Sequence, residues 1–266
     1  MTAPLVLKLG GELLESRDDR LRVARFTAAT MASRPVVIVH GGGRAIDAEL
    51  ERRKIVPNKI DGLRITDGPT LDVVVSVLAG SANTGLVASL VATGIKAVGL
   101  TGVDAGFGRA TRTRAHRSTS GSLVDLGLVG DPAETDATLI ELLIANRYVP
   151  VIASLGWESG SAPAVLNVNA DVMACRVAAA LKGCDLVIAG ATGGVLDKDG
   201  VSIAELDPDA IERLIENETA KAGMIAKLSA CVTALRSGVS SIRLVDGRKI
   251  SVPEDLNTAP GTLVHA

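Results

Sequence analysis

The sequence predicts an α/β fold, a three-layer αβα sandwich around a mainly parallel central sheet. Two observations carry this prediction. Short aliphatic runs, among them residues 36–39, 149–154, 185–189 and 241–245, alternate along the chain with longer segments of helical spacing. That is the pattern of strands covered on both faces and joined by crossover helices. Several runs also end in glycine, as in Lys8-Leu9-Gly10-Gly11 and His40-Gly41-Gly42-Gly43. Open parallel sheets bind ligands at that end of their strands.

Taken in order, residues 5–9 form the first strand, with Lys8 the charged member of an apolar run. Such a lysine either snorkels from an edge strand or delivers a point charge to a phosphate beside the glycine turn. Residues 20–32 follow as a helix, with Leu21, Val23, Ala24, Phe26, Ala28 and Met31 as its apolar positions. Four consecutive β-branched residues at 36–39 favour strand over helix. Gly41, Gly42 and Gly43 then remove every Cβ before a helix over 44–53. The resulting βαβ unit, normally right-handed, puts both glycine turns at one sheet edge. Backbone N–H groups there can approach an anion with a helix dipole behind them.

Helices are expected over 70–79, with Thr70 as N-cap, and over 84–93. A strand follows at 96–100, and Arg112-Thr113-Arg114 fits a solvated hairpin strand. Residues 123–129 read as a strand ending at Gly130, followed by a helix from 135 or 136 to 146 and a strand at 149–154. The Gly/Ser/Pro cluster at 156–163 marks a boundary between an N-terminal lobe, 1–160, and a C-terminal lobe, 161–266. The second lobe is read as helix 170–181, strand 185–189, helices 208–217 and 224–236, and strands 241–245 and 261–264.

Composition narrows the function classes. The 266-residue chain of 27.2 kDa is 47% hydrophobic, enough for a core without staples. A net charge of −2 and an aromatic content of 2% argue against nucleic acid as a partner. Cys175, Cys184 and Cys231 lack C-x-x-C spacing and sit among apolar residues, as core thiols in a reducing compartment do. No apolar run reaches membrane-spanning length and no signal peptide is evident, so a cytoplasmic protein without a membrane partner is expected.

Seven motifs occur in order over nearly the whole chain. They are Lys8-Leu9-Gly10-Gly11, His40-Gly41-Gly42-Gly43, Gly62-Leu63-Arg64-Ile65-Thr66 and Val124-Asp125-Leu126-Gly127-Leu128-Val129-Gly130. They continue with Asn167-Val168-Asn169-Ala170-Asp171, Gly194-Val195-Leu196-Asp197, and Ala222-Gly223-Met224-Ile225 with Lys227. Each is weak alone; together they resemble the amino acid kinase family, and within it the members that phosphorylate N-acetyl-L-glutamate.

The resemblance implies an amino acid kinase-like fold and transfer of a phosphoryl group from ATP to a carboxylate. It implies that Lys8 and Lys227 point at the transferring group and that Asp171 organises the two lysines. Gly11 and Gly43 would face that group, while Gly41, Gly42, Arg64 and Asn167 would hold the acceptor. The nucleotide would lie near Gly10, Gly190, Ala191, Thr192, Gly194, Asp197, Gly223 and Met224. Magnesium is expected on the phosphates and water, without a dedicated protein metal site. Asn169 is read as the N-cap of the following helix.

Two departures from the family pattern stand out. Ala191 replaces an expected acidic residue beside the nucleotide, and Ala222 replaces a glycine. They leave open a kinase of a related acid, such as a carrier-linked aminoadipate docked on arginines 109–117, or a catalytically weakened regulatory member. The resemblance also implies a homodimer, and the early start of the first strand argues against an arginine-binding ring hexamer.

Overall fold

The computed structural model describes residues 2–118, 121–160, 164–216 and 222–265. The chain begins β1 (Leu5–Leu9), α1 (Arg17–Met31), β2 (Val36–His40) and α2 (Gly43–Arg52), then β3 (Lys59–Ile60) and β4 (Leu63–Arg64). Next, α3 (Gly68–Val75) runs through a π-helical segment (Ser76–Ala82) into α4 (Asn83–Val91), and β5 (Ala97–Thr101) follows. Strands β6 (Gly108–Arg112), β7 (His116–Arg117), β8 (Leu123–Val124) and β9 (Val129–Thr135) precede α5 (Thr138–Ala145). Then come β10 (Val149–Ala153), β11 (Leu155–Glu158), β12 (Ala164–Val168), α6 (Ala170–Leu181) and β13 (Asp185–Gly190). The chain closes with β14 (Glu205–Leu206), α7 (Pro208–Glu216), α8 (Ala222–Arg236), β15 (Ser241–Asp246), α9 (Asp255–Thr258) and β16 (Gly261–Val264).

Eight strands form one sheet in the order β14-β16-β15-β13-β1-β2-β10-β5. Its neighbouring strands are parallel except for the antiparallel pair β15 and β16. Side chains alternate across each strand. Leu5, Leu7 and Leu9 of β1 and Ile38 of β2 therefore pack with Val23 and Phe26 of α1 and Leu86 and Leu90 of α4. Val6, Val37 and Val39 pack on the opposite face with Met173 and Val177 of α6 and Leu228 and Val232 of α8. This is the predicted three-layer sandwich. Lys8 shares a face with Val6, toward α6. Because Leu9 pairs with His40 in parallel register, both glycine turns leave the sheet at the same edge. Strands β11, β12, β9 and β6 close into a small barrel beside that edge.

Several local readings are corrected. Asp67, not Thr70, caps α3: its carboxylate accepts from the Thr70 N–H at 2.9 Å. The helices read over 70–79 and 84–93 are one helical body, because Gly80 and Ser81 widen the winding into a π segment rather than break it. That body spans Gly68–Val91, 24 residues whose most apolar 18-residue window has a mean hydropathy of 1.7, so one helix does reach membrane-spanning length. One side of it packs on the core, with Val73, Val74 and Leu78 toward α2 and Leu86 and Leu90 toward α1.

The segment 123–129 divides into β8 and β9, and β9 continues through Gly130 to Thr135. The first part of the Gly/Ser/Pro cluster read as a boundary, 156–158, is strand β11, in which Gly156 pairs with Leu166. Gly156 serves a close approach there: a Cβ would stand 2.9 Å from Ala110 and 3.0 Å from the Gly108 carbonyl. Residues 161–163 of the expected boundary lie outside the described residues. The central sheet takes strands from both sides of residue 160.

Candidate active site

The site begins with a buried charge. Every residue of β1 is buried, and Lys8 is only 8% exposed. A buried ammonium needs a counter-charge. It is supplied by Asp171 in the first turn of α6, with Oδ1 at 2.8 Å from Lys8 Nζ. On the other side of the same carboxylate, Lys227 Nζ of α8 stands 3.7 Å from Oδ2. Burial pushes the Asp171 carboxyl up, but the charges of Lys8 and Lys227 more than offset this and hold it below its ordinary value. Asn169 caps α6 as expected, its Oδ1 accepting from Asp171 N at 2.8 Å and Val172 N at 3.3 Å. Two cations and one anion leave a net positive charge facing the cleft.

Two glycine turns face each other beside this triad. A Cβ on Gly11 would stand 2.8 Å from Gly42 Cα and 3.2 Å from Gly43 N, so the turns touch backbone to backbone. Gly42 is the N-cap of α2 and Gly43 its first residue. The first N–H groups of a helix have no partner within it, which suits them to an anion. Gly10 has a separate role: the Glu12 carboxylate occupies the space a Cβ there would fill.

Farther along the cleft lies Arg64, with its side chain 7% exposed. Its Nη2 pairs with Asp47 Oδ1 at 2.6 Å, and Asp47 Oδ2 also accepts from Lys59 Nζ at 2.6 Å. Burial raises the Asp47 carboxyl, and Lys59 and Arg64 together bring it below its ordinary value. Arg64 Nη1 is buried without a hydrogen-bond partner. An orphaned guanidinium nitrogen in a cleft is a ready donor for a carboxylate. Asn167 on β12 donates from Nδ2 to Thr66 Oγ1 at 3.2 Å.

Lys8, Gly10, Gly11, Gly41, Gly42, Gly43, Arg64, Asn167 and Asp171 line one cleft of about 500 Å³, with Lys227 at its rim next to the lining residue Ala226. The other sequence candidates stand apart, outside the described lining of the cleft. Gly190 ends β13 beside Gly10, whose N–H donates to the Ala189 carbonyl at 2.9 Å. The Ala191 carbonyl accepts from Arg248 Nη2 at 2.6 Å. Thr192 Oγ1 donates to the Gly194 carbonyl at 3.4 Å, and a Cβ on Gly194 would collide with Thr262. Asp197 organises a turn, accepting from Asp199 N and Val201 N at 2.9 Å each. Gly223 and Met224 lie in the first turn of α8.

Sequence reasoning missed Glu12, Asp47, Lys59, His116 and Asp131. Asp47 was within reach, lying one helical turn after Gly43 on the same face of α2. His116 enters through its 2.9 Å pairing with Asp61, which no local pattern announces.

The profile of the amino acid kinase family matches residues 3–246. An acetylglutamate kinase of Symbiobacterium thermophilum is 40% identical over 258 residues, covering 95% of this chain and 86% of that one. The acetylglutamate kinase of Stutzerimonas stutzeri is 38% identical over 251 residues, 92% of this chain and 82% of the relative. Among solved structures, smu.665 from Streptococcus mutans UA159 superposes with a TM-score of 0.80 at 27% identity, over 100% of both chains.

Proposed function

This chain belongs to the amino acid kinase family, and on that footing we propose that it phosphorylates the γ-carboxylate of N-acetyl-L-glutamate with ATP. The observation that carries the reading is the pair of lysines from opposite ends of the chain, joined by one buried aspartate where two glycine turns meet. The acceptor carboxylate is ionised at neutral pH, so no general base is needed. Its oxygen attacks the γ-phosphorus in line, the bond to the β–γ bridging oxygen breaks, and ADP leaves with that electron pair. What the protein supplies is alignment and positive charge.

Residue roles follow from placement. Lys8 and Lys227 flank the transferring group, and the N–H groups of Gly11, Gly42 and Gly43 meet its oxygens. Arg64 Nη1 takes the acceptor's α-carboxylate, and Asn167 faces its acetamido end. The nucleotide spans the side of Gly10, Gly190, Thr192 and the first turn of α8. Asp171 is already shared by two lysines, and no cluster of three metal-binding side chains occurs among the described residues. Magnesium therefore fits as a cation carried on the phosphates, with Glu12 near enough to the cradle to meet its hydration shell. We also assign acceptor binding and dimerisation to residues 1–160 and nucleotide binding to 161–266. Location in the cytoplasm suits three buried free cysteines.

The alternatives lose support. Within the stretch 109–117, Arg112 is held by Glu158 at 2.9 Å and Arg117 donates to the Gly121 carbonyl at 3.4 Å, which engages two of its four arginines within the chain itself. At Ala191 the backbone is anchored by Arg248, whose Nη2 donates to the Ala191 carbonyl, so this segment is held in place without an acidic side chain. A hydroxamate assay with purified protein, millimolar N-acetylglutamate and Mg-ATP tests the proposal. Turnover is expected; its absence overturns the reading.

A further inference from the structure

Behind the second glycine turn lies a polar chain that the reaction does not itself use. His40, the last residue of β2, is fully buried. Its Nδ1 is 3.1 Å from the Gly41 carbonyl oxygen, and its Nε2 is 3.1 Å from Asn83 Nδ2. Asn83 is itself buried, 4% exposed, and its Nδ2 also donates to the Val151 carbonyl at 2.8 Å.

The protons in this chain are fixed by its ends. A carbonyl can only accept, so Nδ1 carries the hydrogen and Nε2 is left as an acceptor. The amide nitrogen of Asn83, whose other hydrogen goes to Val151, must then be the donor to Nε2. Burial depresses the His40 imidazole to about 4, which keeps it in this neutral form.

We propose that His40 is a positioning residue for the phosphoryl cradle, gripping the Gly41 carbonyl while Asn83 locks its tautomer from the end of the π-helical segment. The peptide between Gly41 and Gly42 is planar and trans, so its C=O and N–H point in opposite directions. Holding the Gly41 carbonyl back toward the core therefore turns the Gly42 N–H outward, on the side where Gly42 lines the cleft. The π segment acts on the same turn from its other flank: a Cβ on Gly42 would stand 2.9 Å from Leu78 Cδ2. Each residue added by a π turn rotates the downstream helix by about 100° relative to an unbroken α-helix. That winding brings Leu78 against Gly42 while Asn83 reaches His40. The assignment rests on the proposed phosphoryl transfer for its purpose, although its geometry does not.

Two substitutions separate a relay from mere filling of the core. An asparagine amide mimics a histidine Nδ1–H, whereas the longer glutamine amide mimics Nε2. H40N should keep the grip on Gly41, and H40Q should lose it. With both variants folded to the same extent by circular dichroism, kcat of H40N should exceed that of H40Q by about tenfold or more, while KM for the acceptor moves little. Nitrogen-15 NMR of the wild type should show His40 as the Nδ1–H tautomer from roughly pH 5.5 to 8. The Gly42 amide resonance should move in H40Q and stay near its wild-type position in H40N. Equal rates in the two variants, or an Nε2–H tautomer in the wild type, overturn the proposal. If the wild type fails to turn over, the proposed reaction falls, while the tautomer and the Gly42 resonance still decide the relay.

Discussion

At the scale of single residues, the site is an exercise in holding like charges together. Lys8 and Lys227 would repel across the cleft without Asp171, and Asp171 would not stay ionised at its depth without them. Asp171→Asn should thus cost about 3 kcal/mol in urea unfolding, because it leaves a buried ammonium without a partner. Lys8→Ala or Lys227→Ala should lower kcat by about 10²–10³-fold with little change in acceptor KM. Arg64→Lys should act instead through acceptor KM, raising it about tenfold, since one ammonium cannot span a carboxylate in bidentate fashion. Acid stability has a separate signature. The folded pKa of His40 lies near 4 against 6.5 unfolded, so the unfolded chain binds the extra proton between those values. Its contribution, about 3 kcal/mol, is complete above pH 6.5 and is lost as pH falls toward 4. Denaturation midpoints at pH 7 and 5 should show somewhat over half of this loss, about 2 kcal/mol, and H40N should remove much of it. The lysines were legible because each belongs to a recognisable string, Lys8-Leu9-Gly10-Gly11 and Ala222-Gly223-Met224-Ile225 with Lys227. Glu12 and Asn83 were not, because their meaning depends on which distant backbone each one meets.

At the scale of elements, patterning worked wherever a segment obeyed one period throughout. β1, β2 and β13 are found where short uninterrupted apolar runs indicated strands covered on both faces, and α6 where helical spacing indicated it. Reading failed where the winding changed within a segment. Gly80 and Ser81 look like an interruption, and only the neighbouring turns decide that the chain widens instead of stopping. Gly156 likewise resembles a turn residue until the barrel strands press against it. A Cβ on Gly99 of β5 would collide with the Asn83 side-chain oxygen. Gly99→Ala should therefore displace Asn83, lower kcat, and release the His40 tautomer in NMR spectra, although Gly99 lines no part of the cleft.

At the scale of the whole molecule, the helix Gly68–Val91 is apolar, yet only 39% of its most apolar window is buried, and it borders the edge strand β5. A second copy of the chain is the expected cover, so light scattering behind gel filtration should give the mass of a dimer. Mg-ATP at about 100 times its Kd should raise unfolding stability by about 2.7 kcal/mol, readable as a rise in Tm. The position of β1 has a consequence for how the protein is made. It leaves the ribosome before either of its neighbours, yet it belongs at the centre of the sheet, with β2 on one side and β13 on the other. Its second neighbour is synthesised only after some two-thirds of the chain. Until then the nascent N-terminal half carries an apolar strand with an unpaired flank, a state prone to aggregation and attractive to chaperones. Folding should accordingly wait on the late strands and be slow for a chain of this size, because its central pairing is non-local.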